Sequence, residues 1–360
     1  LISLAQAAAD IISIGASETP PPPARFALEA VMPRPAQNPF LNWRPAAGQL
    51  HHYLLRDTVL DGTTMTLIQG GQALRETAYT QPEDVIAKLK PEAVIEDGDR
   101  MRTIIGSNFA HGNYYHWLTQ AIPAIDTAVR RNDGRGIRLA LPPQNDFQRD
   151  SIALLGQAGI RRMTIEPGRQ YALHEAEYSE FLNGSASFNA NPRATETFAR
   201  LRAAVPVRRT PRERIYVART DAPVRRMRNE HQLIESLRAR GFRIVAPGSL
   251  AFAEQAALFR HASFVVGPHG AGLSNIVFCE PGTLVYELVP ALYRNSCFTV
   301  LADQGGLRYW ADMFESEGAG TGFTGEWDVD VASVLRRIDD IEAVAPPKRR
   351  FFLRGLLRLP

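Results

Sequence analysis

The stretch Gly267-Pro-His-Gly-Ala-Gly-Leu-Ser-Asn275 constrains the fold most, because it joins the apolar run Ser263-Phe-Val-Val266 to Ile276-Val-Phe278. It reads as a buried strand, a glycine turn and the start of a helix. Glycines at 267, 270 and 272 permit positive φ and close backbone approach, so free amides at a helix N-terminus could face a phosphate. The ligand expected there is anionic and nucleotide-derived.

The same alternation repeats on both sides of this turn. Strand Arg214 to Ala218, helix Asn229 to Arg240, strand Phe242 to Val245, helix Phe252 to His261, strand Phe264 to Val266, a helix near 272 to 278 and strand Leu284 to Leu288 imply a parallel, doubly wound sheet. Ligands on such sheets sit beyond the carboxyl ends of the strands, where the glycine turn lies. Upstream, a helix over Tyr115 to Arg130, a strand at Ile137 to Leu141, a helix around Phe147 to Ala158 and another near Arg193 to Ala204 read as further βαβ units. Residues 51 to 105 look β-rich, with strands at Thr63 to Ile68 and Arg102 to Ile105 and a hairpin turn at Glu96-Asp-Gly-Asp99.

A chain of 360 residues exceeds what one core usually serves. The expected divisions are a proline-rich extended arm over 1–50, an α/β domain over 51–206, a Rossmann-like domain over 207–345 and a basic tail over 346–360. The boundary is set by Val205-Pro-Val-Arg-Arg-Thr-Pro-Arg212, dense in proline and arginine. A formal net charge of +3 is too small to argue for a nucleic-acid partner. Lysine occurs only at 88, 90 and 348, so nearly every cation is an arginine, which favours bidentate recognition of phosphate or carboxylate. Cys279 and Cys297 lack metal-ligand spacing and fit a reducing compartment. The apolar start, Leu1 to Ile14, makes a poor signal peptide and is too short to span a bilayer.

The glycine turn fails three templates. A dinucleotide fingerprint needs G-x-G-x-x-G, a P-loop needs G-K-[ST], and a serine-hydrolase elbow needs G-x-S-x-G; the order here is G-x-x-G-x-G with no lysine nearby. The triplets Asp97-Gly-Asp99 and Asp328-Val-Asp330 read as a turn and a helix N-cap rather than metal ligands.

Three blocks carry a resemblance over about Asn113 to Leu288. They are Asn113-Tyr-Tyr-His-Trp117; Ile215-Tyr-Val-Ala-Arg219 with Arg225-Arg226 and Asn229-Glu230; and Phe252-Ala-Glu-Gln255 through Gly267–Asn275 to Glu287. In order and spacing the chain resembles glycosyltransferase family 61, which holds plant xylosyl- and arabinosyltransferases, animal O-GlcNAc transferases and bacterial capsule enzymes. The resemblance implies an α/β GT-B fold, two Rossmann-like domains facing a cleft, here with an extra β-rich N-terminal region. It implies an inverting transfer from a nucleotide sugar, expected to be UDP-linked, to a saccharide or lipid-linked glycan in capsule or surface-polysaccharide assembly, with no metal or other cofactor. A non-catalytic nucleotide- or glycan-binding subunit and a nucleotide-sugar hydrolase are the alternatives.

Breaking a sugar–phosphate bond requires fixed donors for the departing diphosphate. Under the resemblance, Arg219 is the first choice for that clamp, with Arg225 or Arg226 next. His269 and the backbone of Gly270, Ala271 and Gly272 would bind beside it. Asn275 would hold the loop or a donor hydroxyl, and Glu287 the ribose hydroxyls or an arginine. Glu254 opens a helix and reads as helix stabilisation. His116 is the expected catalytic base, with His111 and Asp126 as runners-up, and Tyr115 and Trp117 would stack on the acceptor sugar. The tail Pro347-Lys-Arg-Arg-Phe-Phe-Leu-Arg-Gly-Leu-Leu-Arg-Leu359 could lie on an anionic membrane or pack back on the first domain. The expected location is the cytoplasm, at the periphery of the inner membrane if the tail binds lipid.

Overall fold

The computed structural model describes residues 1–13, 31–32, 49–79, 82–89, 93–96, 98–184, 191–207, 210–220, 222–293, 295–317 and 325–344. The fold is mixed α/β, with two principal sheets. The arm beyond residue 13 (apart from 31–32 and 49–50), the tail 346–360 and Asp97 fall outside the described residues. Of the expected arm, Leu4–Ala7 is a short helix and Asp10–Ser13 pairs antiparallel with the strand His51–Asp61.

The first sheet runs in the order Gln72–Ala73, Leu67–Gln69, His51–Asp61, Gln170–Ser179, Arg102–Ile105, Ile137–Leu141, Arg162–Thr164. Strand Gln170–Ser179 is antiparallel to His51–Asp61 on one side and parallel to Arg102–Ile105 on the other. The β-rich opening is thus the antiparallel wing of the same sheet that carries the βαβ units, not a separate region. Val94–Ile95 and Arg102–Ile105, the strands on either side of the expected hairpin turn, pair parallel with Gln170–Ser179 and not with each other. The expected strand at Thr63 to Ile68 begins only at Leu67, because Asp61 accepts from the amide and hydroxyl of Thr64 and folds 62–64 into a turn.

The second sheet is wholly parallel, in the order Arg243–Val245, Glu213–Val217, Ala262–Pro268, Leu284–Pro290, Arg308–Phe314, Val31–Met32. From Glu213–Val217 the chain first adds a strand on one side, then crosses to add Ala262–Pro268, Leu284–Pro290 and Arg308–Phe314 in turn on the other, where Val31–Met32 joins from earlier in the chain. The order therefore reverses between Glu213–Val217 and Ala262–Pro268, the switch point where the carboxyl ends of such sheets open a crevice. The expected boundary at 206/207 lies in the link that carries the chain from the first sheet to the second.

Strand alternation explains why helices cover both faces. Tyr216, Phe264, Val266, Tyr286, Leu288 and Trp310 point one way, against helices Glu230–Ala239 and Val331–Val344. Ile215, Val217, Val265, Val285, Val289 and Tyr309 point the other way, into a cluster that also holds Leu139, Tyr178 and Leu201 from the first half. Both sheets thus contribute to one continuous apolar interior. Gly241, at φ +78°, ends the helix before it as expected of a residue just past a C-cap. Asp330 accepts from the amides of Ala332 and Ser333 and caps Val331–Val344.

The helix expected over Tyr115 to Arg130 runs from Tyr114 to Arg131 but contains a π-helical turn at Trp117–Ala121. Pro123 has no N–H to give to the carbonyl of Thr119, and the wider turn before it absorbs that lost bond. Asn113 caps the start by accepting from the amide of Tyr115 at 2.9 Å, which sets Tyr114, Tyr115 and His116 on the first turn. No helix among the described residues is long and apolar enough to cross a membrane.

Candidate functional site

Arg219 leaves the end of strand Glu213–Val217 on one side of the switch point, and Gly270 to Gly272 leave strand Ala262–Pro268 on the other. Glu230, buried in the first turn of its helix, anchors the first end: its Oε1 accepts from the amide of Arg219 at 2.8 Å and from the Tyr216 hydroxyl at 3.0 Å. The guanidinium of Arg219 donates to the carbonyl of Val224 and lies directly over Gly270, where a side-chain Cβ would come within 1.6 Å of Nη1. At Gly267 a Cβ would meet Cβ of Val217 at 2.9 Å, and at Gly272 it would meet Cγ1 of Val217 at 3.1 Å.

All three glycines are therefore needed for close approach. The expectation of positive φ is corrected, since none of them lies in the left-handed region and Gly270 is extended at φ 168°. A 3₁₀ helix, Ala271–Phe278, follows directly. The amides of Ala271 and Gly272 precede its first bond, from the Leu273 N–H to the Gly270 carbonyl, and both residues line the cavity.

A cavity of about 790 Å³ occupies the switch point, lined by Arg219 and Gly270 to Gly272 from the second half. Tyr114, Phe147, Asn145, Asp146 and Asp150 close it from the first half. Asn145 caps helix Asp146–Leu154 in a reciprocal pair with Gln148, holding that helix N-terminus at the cavity edge. The rings of Tyr114 and Phe147 stand 5.1 Å apart, with Phe252 6.5 Å from Tyr114. The cavity thus has a cationic, amide-rich wall opposite an aromatic wall that also carries carboxylates.

Asn275 is fully buried and ties the halves together. Its Oδ1 accepts from the Tyr114 hydroxyl at 2.6 Å, and its Nδ2 donates to Gln255 and to the carbonyl of Gly272. Of the two roles expected for it, the structure shows the loop-holding one. Glu254 accepts from the amide of Ala251 at 3.0 Å and stabilises its helix start.

His269 lies between cavity-lining Pro268 and Gly270, yet its ring turns towards strand Leu284–Pro290. Its Nδ1 is 2.5 Å from Oε1 of Glu287, whose Oε2 accepts from the Tyr309 hydroxyl. Tyr293 and Phe298 flank the imidazole at 5.2 and 5.0 Å between ring centroids. Both oxygens of Glu287 are thus committed inside the core, and neither is presented to a ribose. The arginine expected as its other partner is replaced by a histidine and a tyrosine. Arg225, at φ 52°, lays its guanidinium 4.3 Å from the centre of the Tyr293 ring, and burial lowers its pKa. Arg226 is exposed, 3.8 Å from Glu326.

His116 joins this region from the first half. The Tyr79 hydroxyl is 2.8 Å from its Nδ1, Gln120 Oε1 is 3.0 Å from the same atom, and burial pulls its pKa below the ordinary imidazole value against the opposing effect of Gln120. The chain of rings continues from His116 to Tyr115 at 5.1 Å, and from Tyr115 to Phe298 at 5.8 Å. The histidines of the two halves therefore border one aromatic cluster. His111 lies at the other end of the turn before the helix, where its carbonyl accepts from Gln148.

Two expectations are corrected here. Trp117 is buried in the core with its indole N–H donated to Ser151 at 2.8 Å, so neither ring face is open to a sugar. Tyr115 is buried too and packs edge-on between His116 and Phe298. Asp126 is fully buried among Arg130, Gln157 and Thr197 and joins three segments of the first half. Its oxygens are taken up in holding those segments together.

Tyr79, Tyr293 and Tyr309 escaped the sequence reading. Tyr293 had a usable signal, since it comes three residues after the end of a parallel strand, where ligand-facing groups gather. Tyr79 comes from the antiparallel wing and is brought in by tertiary pairing alone.

Comparison with known proteins points the same way. Over 58 residues the chain is 38% identical to Beta-1,2-xylosyltransferase RCN11 of Oryza sativa subsp. japonica and 34% identical to Beta-1,2-xylosyltransferase of Arabidopsis thaliana. Each match covers 16% of this chain and 11% of the relative, so the matched stretch spans about a tenth of those enzymes. Both are plant proteins, and a bacterial capsule role receives no support from them. Residues 114–286, which include both faces of the cavity and the histidine that turns from it, match the family model Glycosyltransferase 61.

Proposed function

We propose that the protein is an inverting glycosyltransferase that moves a sugar from a nucleotide donor, taken here as a UDP-sugar, to a saccharide acceptor. The observation that carries this reading is the meeting of Arg219 with Gly270 to Gly272 on one cavity at the switch point. A guanidinium and helix-start amides stabilise the charge that grows on a departing diphosphate, and they do so without reorganising during the reaction. The reading needs no metal, because these groups supply the stabilisation themselves.

In this reading the diphosphate lies over the glycine turn with Arg225 nearby, and the first half supplies the acceptor side in a GT-B-like arrangement. His116 takes the proton of the acceptor hydroxyl during in-line attack. Burial favours its neutral form, the form a proton acceptor must have. The names of the plant relatives recommend a pentose donor as the first to try. Cys279 and Cys297 are buried free thiols, which supports a cytoplasmic location.

The test is a panel of nucleotide sugars, UDP-xylose first, with and without saccharide acceptors, and the product's anomeric configuration read by NMR. Transfer with inversion, lost in Arg219→Ala, is the expected result. Release of UDP that no acceptor alters would make the protein a hydrolase. Binding of UDP without turnover on any donor would make it a binding subunit.

A further inference from the structure

A carboxylate with no exposed surface stands in the middle of an apolar strand, and the cavity does not use it. Glu287 lies between Val285 and Val289 on the sheet face that builds the shared core, with Gly267 beside it on one neighbouring strand and Ala311 on the other. A buried carboxylate is strongly disfavoured unless paired, and an aliphatic side chain would fill the same position without that penalty. Packing therefore does not account for the charge.

What accounts for it is a line of three groups across three adjacent strands. His269 follows the end of Ala262–Pro268, Glu287 is in Leu284–Pro290, and Tyr309 is in Arg308–Phe314. The carboxylate joins Nδ1 of His269 to the Tyr309 hydroxyl, so both of its oxygens are fixed. Tyr293 and Phe298 hold the imidazole plane from the sides. With Nδ1 engaged and the ring pinned, Nε2 is the nitrogen left to meet a ligand, and it makes no hydrogen bond among the described residues.

We propose that Glu287 is a positioning residue. It accepts the Nδ1 proton of His269, thereby fixing the tautomer and leaving Nε2 as the edge that meets a phosphate-bearing ligand, while Tyr309 holds the second carboxylate oxygen. A carboxylate on the far nitrogen is the general way to set which edge of a histidine does chemistry. The proposal rests on the reading of the protein as a nucleotide-sugar enzyme and adds how the histidine of the glycine turn is held.

Nitrogen-15 histidine spectra of the full chain test it without turnover. The His269 signal, identified by its loss in His269→Gln, is expected as the Nδ1–H tautomer, with an Nε2 resonance that moves on addition of UDP. In Glu287→Gln the Nδ1–H form should lose its majority and the UDP response should shrink. In the transfer assay Glu287→Gln should lower kcat roughly 100-fold with donor KM little changed, and the double variant with His269→Gln should be no slower than His269→Gln alone.

Tyr309→Phe, which leaves the carboxylate in place, carries the same measurements should Glu287→Gln fail to fold, with a smaller loss of kcat and a weakened Nδ1–H signal expected. An Nε2–H tautomer in the wild type, or losses from the two single variants that multiply in the double, overturns the proposal. A chain that turns over no nucleotide sugar defeats the proposed function, and the tautomer remains readable in that case.

Discussion

Arg219 and Gly270 occupy one another's space: a methyl group on residue 270 would stand 1.6 Å from Nη1 and 2.7 Å from Cζ of the arginine. The clash falls chiefly on the movable end of a side chain, and the extended backbone of Gly270 accepts any residue without strain. Gly270→Ala should therefore fold normally and push the guanidinium out of the crevice. Losing one charge-assisted contact of about 1.5–3 kcal/mol should weaken UDP binding by about tenfold to a hundredfold. Calorimetry against UDP and a urea melt read the two effects separately, and unchanged affinity would remove Arg219 from the phosphate site.

Gly267 makes the opposite case. A Cβ there meets Val217 Cβ at 2.9 Å and its carbonyl oxygen at 3.2 Å, both held in the neighbouring strand. Nothing flexible can give way, so Gly267→Ala should cost about 1–3 kcal/mol of folding stability. A lowered urea midpoint in this variant, beside an unchanged one for Gly270→Ala, is the expected pair of results.

The bond between the Tyr114 hydroxyl and Asn275 joins the two halves at the back of the cavity. Tyr114→Phe keeps the ring against Phe147 and Phe252 but leaves Oδ1 of a fully buried asparagine without that donor. The cost should be about 1–3 kcal/mol. The donor KM should rise as well, because Asn275 also holds the carbonyl of Gly272 in the turn. Denaturant melts and donor titrations check both, and a variant indistinguishable from wild type would mean the bond carries no load.

Legibility in the sequence followed the physics of each element. Four parallel strands of the second half, Glu213–Val217, Arg243–Val245, Ala262–Pro268 and Leu284–Pro290, read as short apolar runs between turn residues, so their positions were visible to within about two residues. Strand Gln170–Ser179 was not, because it carries His174, Glu175 and Glu177. Glu177 lies fully buried only because His52 and Arg131 reach it from a distant strand and helix. Helix Cys297–Gln304 and strand Arg308–Phe314 were also missed, and with them the partner of Glu287.

Glu287 itself was conspicuous as a charge in an apolar strand, yet its role depended on a register that brings residues 18 and 22 positions away in sequence to its two oxygens. Arg219 and the glycine turn were legible because strand-end position alone suffices to place them. Trp117 was misjudged because neighbouring residues on a helix point to different faces, and the face buried there was decided by Ser151 on another helix.

Asp126 separates structural from chemical roles in the first half. Its oxygens accept from Gln157 and Thr197, both at 2.8 Å, and from Arg130 at 3.1 Å, with Arg200 at 3.4 Å. Asp126→Ala leaves the buried Gln157 and Thr197 without their acceptor and should destabilise the fold by about 3 kcal/mol or more. Any folded fraction should retain the wild-type donor KM. A selective loss of kcat with stability intact would instead return Asp126 to the list of candidate bases.

His116 should reveal itself in the pH profile. Burial disfavours the charged imidazolium and lowers its pKa, an effect the hydrogen bond to Gln120 opposes without overcoming. A group with a depressed folded-state pKa stays neutral until the pH has fallen below the ordinary imidazole value of about 6.5. If His116 is the base, kcat/KM should be flat through neutrality and fall only on the acid side of that value. His116→Gln should lower kcat by about 10²–10⁴-fold and abolish that acid limb while UDP still binds. Tyr79→Phe removes the hydroxyl 2.8 Å from Nδ1 and should shift the limb without erasing it. An acid limb that survives in His116→Gln would move the proton transfer to another group at the cluster, and His269, already held by Glu287 on the facing half, would be the next to test.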